Sequence, residues 1–129
     1  GVKRPPPGGN AIGANLQVAS LLDTLSVRVV PARASGPPFT VAFVIPELKE
    51  RHLVTVANGV MLHEQGVADT ADATLVTPRL ALLGMVGGQA KAIDLLQKGT
   101  ISIEGNPAVL QRFLGLFEPP KPGFPLVTP

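Results

Sequence analysis

The chain has no cysteine, no tryptophan and no tyrosine, and five phenylalanines are its only large aromatic residues. The missing cysteine excludes disulfides, thiol nucleophiles and thiolate metal sites together. It leaves the compartment open, periplasmic or cytoplasmic, because cysteine-free domains suit reducing and oxidising places alike. Charge is sparse too: 16% of residues are charged, and the net charge is +2 at pH 7. The lysines and arginines are scattered rather than blocked. A nucleic-acid surface needs a basic stripe, usually with aromatic platforms, so no nucleic-acid partner is expected. Long apolar runs are also missing. Nothing approaches the ~18 residues that span a bilayer, so no transmembrane segment is expected.

What is present is apolar. Hydrophobic residues make up 45% of the 129, and the mean hydropathy is positive. This length gives one domain with room for one modest core. The apolar excess must enter a core, a cavity or a partner. Residues 1–13 are rich in proline and glycine and begin Gly1-Val2-Lys3-Arg4-Pro5. No apolar segment of a signal peptide follows them. They read as an extended linker ahead of a domain over 14–129, which makes the chain a fragment or processed product of something longer.

Periodicity predicts the elements. From about Asn15 to Val29, Val18, Leu21, Leu22, Leu25 and Val29 fall on one helical face, while Gln17, Asp23 and Arg28 lie mostly away from it; Pro31 is the stop. Residues 31–38 read as a loop. Phe39 to Ile45 reads as a strand with Phe39, Val41, Phe43 and Ile45 inward. Residues 46–52 read as a polar turn. Leu53 to Ala57 and Val60 to Glu64 flank Asn58-Gly59, the pair that a type I′ hairpin turn favours. Val54, Val56 and Met61 then share a face, with His63 on the same side.

Ala73 to Val76 is the next strand. Thr77-Pro78 reads as an N-cap and a first-turn proline, opening a helix that carries Leu80, Leu83 and Val86, with Leu82 and Met85 making its apolar surface more than one narrow face. A second helix, Ala90 to Lys98, closes at Gly99. Ile101 to Glu104 alternates as a strand. Asn106-Pro107 repeats the cap-and-proline start of a last helix, with Val109, Leu110, Phe113, Leu114 and Phe117 in one stripe. The tail from Glu118 is proline-rich, with Phe124 and Leu126 embedded in it. The order α-β-β-β-β-α-α-β-α implies an α/β (α+β) domain: about five strands, mostly antiparallel, with helices on one side.

Catalytic constellations are sparse. His52 and His63 stand in no metal-ligating spacing, and His63 reads as a partly buried strand histidine. Asp69 and Asp72 are close in sequence, but a lone pair of carboxylates reads as a solvated loop rather than a calcium site. Gly84 to Lys91 is glycine-rich, yet it lacks the spacing and hydroxyl of a phosphate loop. It reads as a helix end and a turn. No catalytic residue, metal ligand or cofactor is therefore assigned to this chain. What remains is leucine, methionine and phenylalanine, which suit flexible alkyl ligands. A sheet face and the helices over it can part to leave a slot. The bulky residues on those inner faces are the candidate wall: Phe39, Val41, Phe43, Leu83, Phe113, Leu114 and Phe117.

Five stretches in order, LLDTLSVRV, FTVAFVIPE, LVTVANGVMLHEQG, ADATLVTPRLALL and KGTISIEGNPAVLQRFLGLFE, resemble the C-terminal domain of bacterial alkyl sulfatases. The resemblance covers about residues 16–129 and departs from the family pattern at Arg33–Pro38 and Pro46–Arg51. It implies a fold like sterol carrier protein 2. It implies a role in gathering long-chain alkyl sulfates for a separate catalytic domain of the same parent protein, a sulfuric ester hydrolase similar to metallo-β-lactamases. Zinc is expected in that domain; its histidine cluster has no counterpart here. The partners so implied are an alkyl or lipid ligand and the catalytic domain. Two alternatives stand beside this: a structural module that packs on the catalytic domain, and a free-standing lipid or sterol carrier.

Overall fold

A computed structural model describes residues 17–66 and 70–118. Helix α1 (Val18–Val27) buries Val18, Leu21 and Leu22, with Leu25 and Val29 packed against the same core. It ends sooner than Pro31 requires. Arg28 is its C-cap and donates its backbone N–H to the Leu25 carbonyl at 2.9 Å. Pro31, whose ring pre-sets a helical φ, instead opens a 3₁₀ turn, Pro31–Ala34, inside the expected loop.

Strand β1 (Phe39–Ile45) has the limits that its alternation and Pro46 predict. The turn after it is shorter than the expected 46–52. Pro46–Leu48 forms a 3₁₀ turn closed by Lys49 in the left-handed region, and β2 (Glu50–Ala57) starts at once. The ladder sets Ile45 opposite Glu50, Val44 opposite Arg51 and Phe43 opposite His52. Backbone pairing thus recruits three polar residues that carry no strand signal of their own. Strand β3 (Val60–Gln65) follows through Asn58 and Gly59, at φ 55 and 84, the two positive angles of a type I′ turn. Val56 faces Met61, and Val54 faces His63.

Strand β4 (Ala73–Val76) leads to α2 (Arg79–Val86), whose start differs from expectation. Pro78 is the N-cap, and the Thr77 hydroxyl donates to the Pro78 carbonyl instead of capping. Thr77 is still held by the sheet, its N–H donating to Val44 at 3.0 Å. The open donor of Arg79 goes to Glu47 Oε2 at 2.7 Å, which places a carboxylate at the positive end of the helix. On its inner face Leu82 and Val86 are buried, while Leu80 is 65% exposed. Helix α3 (Ala92–Lys98) closes at left-handed Gly99, and β5 (Ser102–Gly105) follows. In α4 (Pro107–Leu114), Asn106 Oδ1 accepts from the Ala108 N–H at 2.9 Å, a side-chain N-cap. The helix stops at Leu114, so the expected stripe breaks. Leu114 is 45% exposed, and Leu116 is buried in its place. After a turn at Gly115 and Leu116, Phe117 bridges Val29, flanked by two bonds: Val30 donates to Leu116, and Glu118 to Arg28, both at 2.9 Å.

The sheet order is β3-β2-β1-β4-β5. The β1–β4 pair is parallel and the other three are antiparallel, so the sheet is mixed and mostly antiparallel. Its core residues are alternate ones on one face, including Val41, Phe43, Val54, Val56 and Leu75, packed with Leu22, Leu82, Leu110 and Phe113 from the helices. The other face carries Val60 and Leu62, at least half exposed. Burial of side chains such as Phe43 and Leu22 contributes ~1.5–3 kcal/mol each and holds the helices to a single side.

Candidate functional site

The helices do not close completely over the sheet. A cavity of about 560 Å³ remains between them, with Phe43 and Leu75 as its floor. Those two are partners across the parallel β1–β4 pair. Leu25 of α1, Leu82, Met85 and Val86 of α2, Ala92 and Ile93 of α3, and Phe113, Leu114 and Phe117 form the walls. The Phe113 ring lies edge-on between its neighbours, 5.6 Å from Phe43 and 5.1 Å from Phe117, an arrangement that aromatic quadrupoles favour. The floor is sealed, whereas Ile93 and Leu114 at the rim are about half exposed. Gly88 and Ala90 and three charged residues, Arg28, Lys91 and Glu118, complete the lining. The Arg28 guanidinium donates to the Val86 carbonyl, which ties the end of α1 to the end of α2.

Of the seven residues named from the sequence, Phe43, Phe113, Leu114 and Phe117 line this cavity. Phe39, Val41 and Leu83 do not. Phe39 is buried beneath the Arg112 guanidinium, 4.6 Å from its ring centroid. Val41 is wholly enclosed in packed core, and Leu83 packs against the core from the side. Strand alternation identifies the inward face but not the place along it where the helices part. Leu82 and Met85 belong to the helix-borne apolar surface that the sequence offers for a cavity without fixing them as wall, whereas Leu75 and Arg28 carry no sequence signal that places them there. Arg28 was placed away from the core by helical phase, but the helix ends before it, so that phase does not apply.

The polar candidates have structural partners. His52 is buried, its Nε2 2.9 Å from Glu50 Oε1, while its Nδ1 has no hydrogen-bond partner among the described residues. His63, on the Met61 side of the hairpin and partly buried, has Nε2 2.6 Å from Asp23 Oδ1. Among the described residues no three His, Cys, Asp or Glu side chains group as a metal site. Zinc has no set of donors to fit here, and no hydrolytic step follows from these residues. Asp72 is more than a solvated loop residue: its Oδ2 accepts the Thr40 N–H at 2.9 Å, pinning the approach to β4 onto β1. Asp69 lies outside the described residues. In the 84–91 segment, the Gly87 N–H donates to Leu83 and the Gln89 N–H to Gly84, both at 2.9 Å. These amides close a helix end and are not left to cradle a phosphate. Among the described residues no helix is long and apolar enough to cross a membrane. The chemistry on offer is shelter for an apolar group beneath a charged rim.

The family described as alkyl sulfatase C-terminal matches residues 7–129. An alkyl/aryl-sulfatase of Saccharomyces cerevisiae is 28% identical over 127 residues, which is 98% of this chain and 20% of the yeast protein. A stereoselective inverting sec-alkylsulfatase from Pseudomonas sp. superposes with a TM-score of 0.76 at 26% identity, covering 87% of this chain and 18% of that one. Palmitated sterol carrier protein 2-like 2 of Aedes aegypti gives a TM-score of 0.57 at 20% identity, covering 76% of this chain and 91% of that one. This last likeness is one of fold, an α+β architecture of the sterol-carrier kind. The chain spans about a fifth of the length of the curated sulfatases it matches.

Proposed function

The chain belongs to the alkyl sulfatase C-terminal family, and from that premise we propose that it is a non-catalytic accessory domain that binds the apolar chain of long-chain alkyl sulfates. The cavity over Phe43 and Leu75 carries this reading. Its size falls within the ~300–1,000 Å³ usual for small-molecule sites, and its walls are aliphatic and aromatic. The matched relatives are sulfatases whose remaining four-fifths lie outside the match, which supports an accessory role beside a separate hydrolytic domain, by family resemblance a zinc-dependent one. This domain would raise the local concentration of substrate for it.

The test is stabilisation by ligand. A molecule that binds only the folded state raises the melting temperature by mass action. Decyl and dodecyl sulfate, below the concentrations at which they form micelles, should raise it, and methyl sulfate should not. Val60 and Leu62, exposed on the sheet face away from the described helices, favour a second role, packing on the catalytic domain. If no alkyl sulfate raises the melting temperature, that role stands alone. A free-standing lipid carrier shares the fold, but the likeness in sequence runs to the sulfatases.

A further inference from the structure

Apart from Arg28, Lys91 and Glu118, the cavity lining consists of apolar side chains and glycine. Arg28 is half-buried, and among the described residues its side chain has one acceptor, the Val86 carbonyl. A guanidinium carries five N–H donors, so most of its hydrogen-bonding capacity is unspent. Among the described residues neither Arg28 nor Lys91 forms an ion pair. Two cations and one carboxylate leave the rim with a net charge of +1. A half-buried charge without a counter-ion carries a desolvation cost, and an incoming anion recovers part of it.

We propose that this rim is a headgroup site. It selects amphiphiles with an anionic oxygen head, seated on Arg28 with Lys91 beside it, and the tail runs inward to Phe43 and Leu75. The inference rests on the ligand-binding reading above and adds polarity to it: the ligand enters tail first. A sulfate ester and a carboxylate share the required chemistry, because each presents a pair of oxygens to the planar guanidinium. A neutral hydroxyl can accept a hydrogen bond there but gains no charge pairing, and a cationic head faces two like charges with Glu118 as its counter-charge.

The experiment titrates decyl sulfate, decanoate, decanol and decyltrimethylammonium into the wild-type chain, Arg28→Gln, Arg28→Lys and Lys91→Gln, with melting curves for each. Both anions should bind wild type about tenfold or more tighter than decanol, and added salt should weaken the anions alone. Arg28→Gln should reduce the ratio of anion to decanol affinity, both measured on the same variant, towards one, while Arg28→Lys retains part of it. Lys91 is exposed, so Lys91→Gln should fold normally and weaken anion binding by about threefold. It decides the matter if Arg28→Gln does not fold. Equal binding of all four probes to wild type overturns the headgroup site and leaves the cavity reading intact. Binding by none of them overturns both.

Discussion

The Phe113 ring on α4 meets Phe43 on β1 edge-on, with centroids 5.6 Å apart and planes at 63°. Phe113 therefore anchors the last helix to the central strand and also walls the cavity. Leu114, the next residue, lines the same cavity from the exposed rim. The two should respond differently to truncation. Phe113→Ala should cost ~3–5 kcal/mol, read as a lower urea midpoint at constant slope. Leu114→Ala should stay within about 0.5 kcal/mol of wild type yet weaken decyl sulfate binding by about threefold. If Phe113→Ala is as stable as wild type, the aromatic stack does not hold α4.

Chain length is the second readout. Each methylene buried in the cavity contributes ~0.8 kcal/mol, about fourfold in affinity. Octyl, decyl and dodecyl sulfate should follow that slope until the slot is full, and longer chains should then plateau. Calorimetric titration checks it. A flat series from octyl upward would mean that the tails bind outside the cavity.

Two glycines should differ in their tolerance of a side chain. At Gly59 a Cβ would find no atom closer than 3.5 Å, so the penalty comes from φ +84 alone. Gly59→Val should cost roughly 1–3 kcal/mol. At Gly105 the φ is +88, and a Cβ would also lie 2.8 Å from the Asp72 carbonyl oxygen, between β4 and β5. Gly105→Ala should therefore lower the denaturation midpoint more than Gly59→Ala. The reverse order would contradict the close approach of the two backbones.

The chain alone should not hydrolyse alkyl sulfates, with or without zinc. His52 pairs with Glu50 and His63 with Asp23, and among the described residues no third His, Cys, Asp or Glu joins either pair to make a metal site. Dodecyl sulfate incubated with the purified chain should release sulfate at the rate of buffer. Zinc-dependent release that survives repurification would overturn the assignment of catalysis to a separate domain.

The strands were the legible part of this sequence. β1 combines strict alternation with a bounding proline, and Asn58-Gly59 specifies its turn through backbone sterics, so both signals are local. β2 was read three residues short because Glu50, Arg51 and His52 are polar and take strand conformation from their pairing with β1. The phase of α2 is ambiguous in the sequence. With leucines at 80, 82 and 83, two apolar faces compete, and only the tertiary fit buries Leu82 instead of Leu80. The cavity was half legible for a similar reason. Its phenylalanines lie on faces that periodicity identifies, whereas Leu75 joins Phe43 only through a parallel pairing between strands distant in sequence.

That parallel pairing also shapes the order of folding. β1, β2 and β3 are joined by tight turns and can zip together locally. β4 reaches β1 only after the chain closes a loop from Ile45 to Ala73, and closure of such a loop slows folding. The cavity floor spans this seam, so its two halves meet only when that loop closes. Until then the central strand keeps one edge bare, open to pairing with another chain. Synthesis from the N-terminus prolongs that interval, because the hairpin emerges before the strand that will cover it.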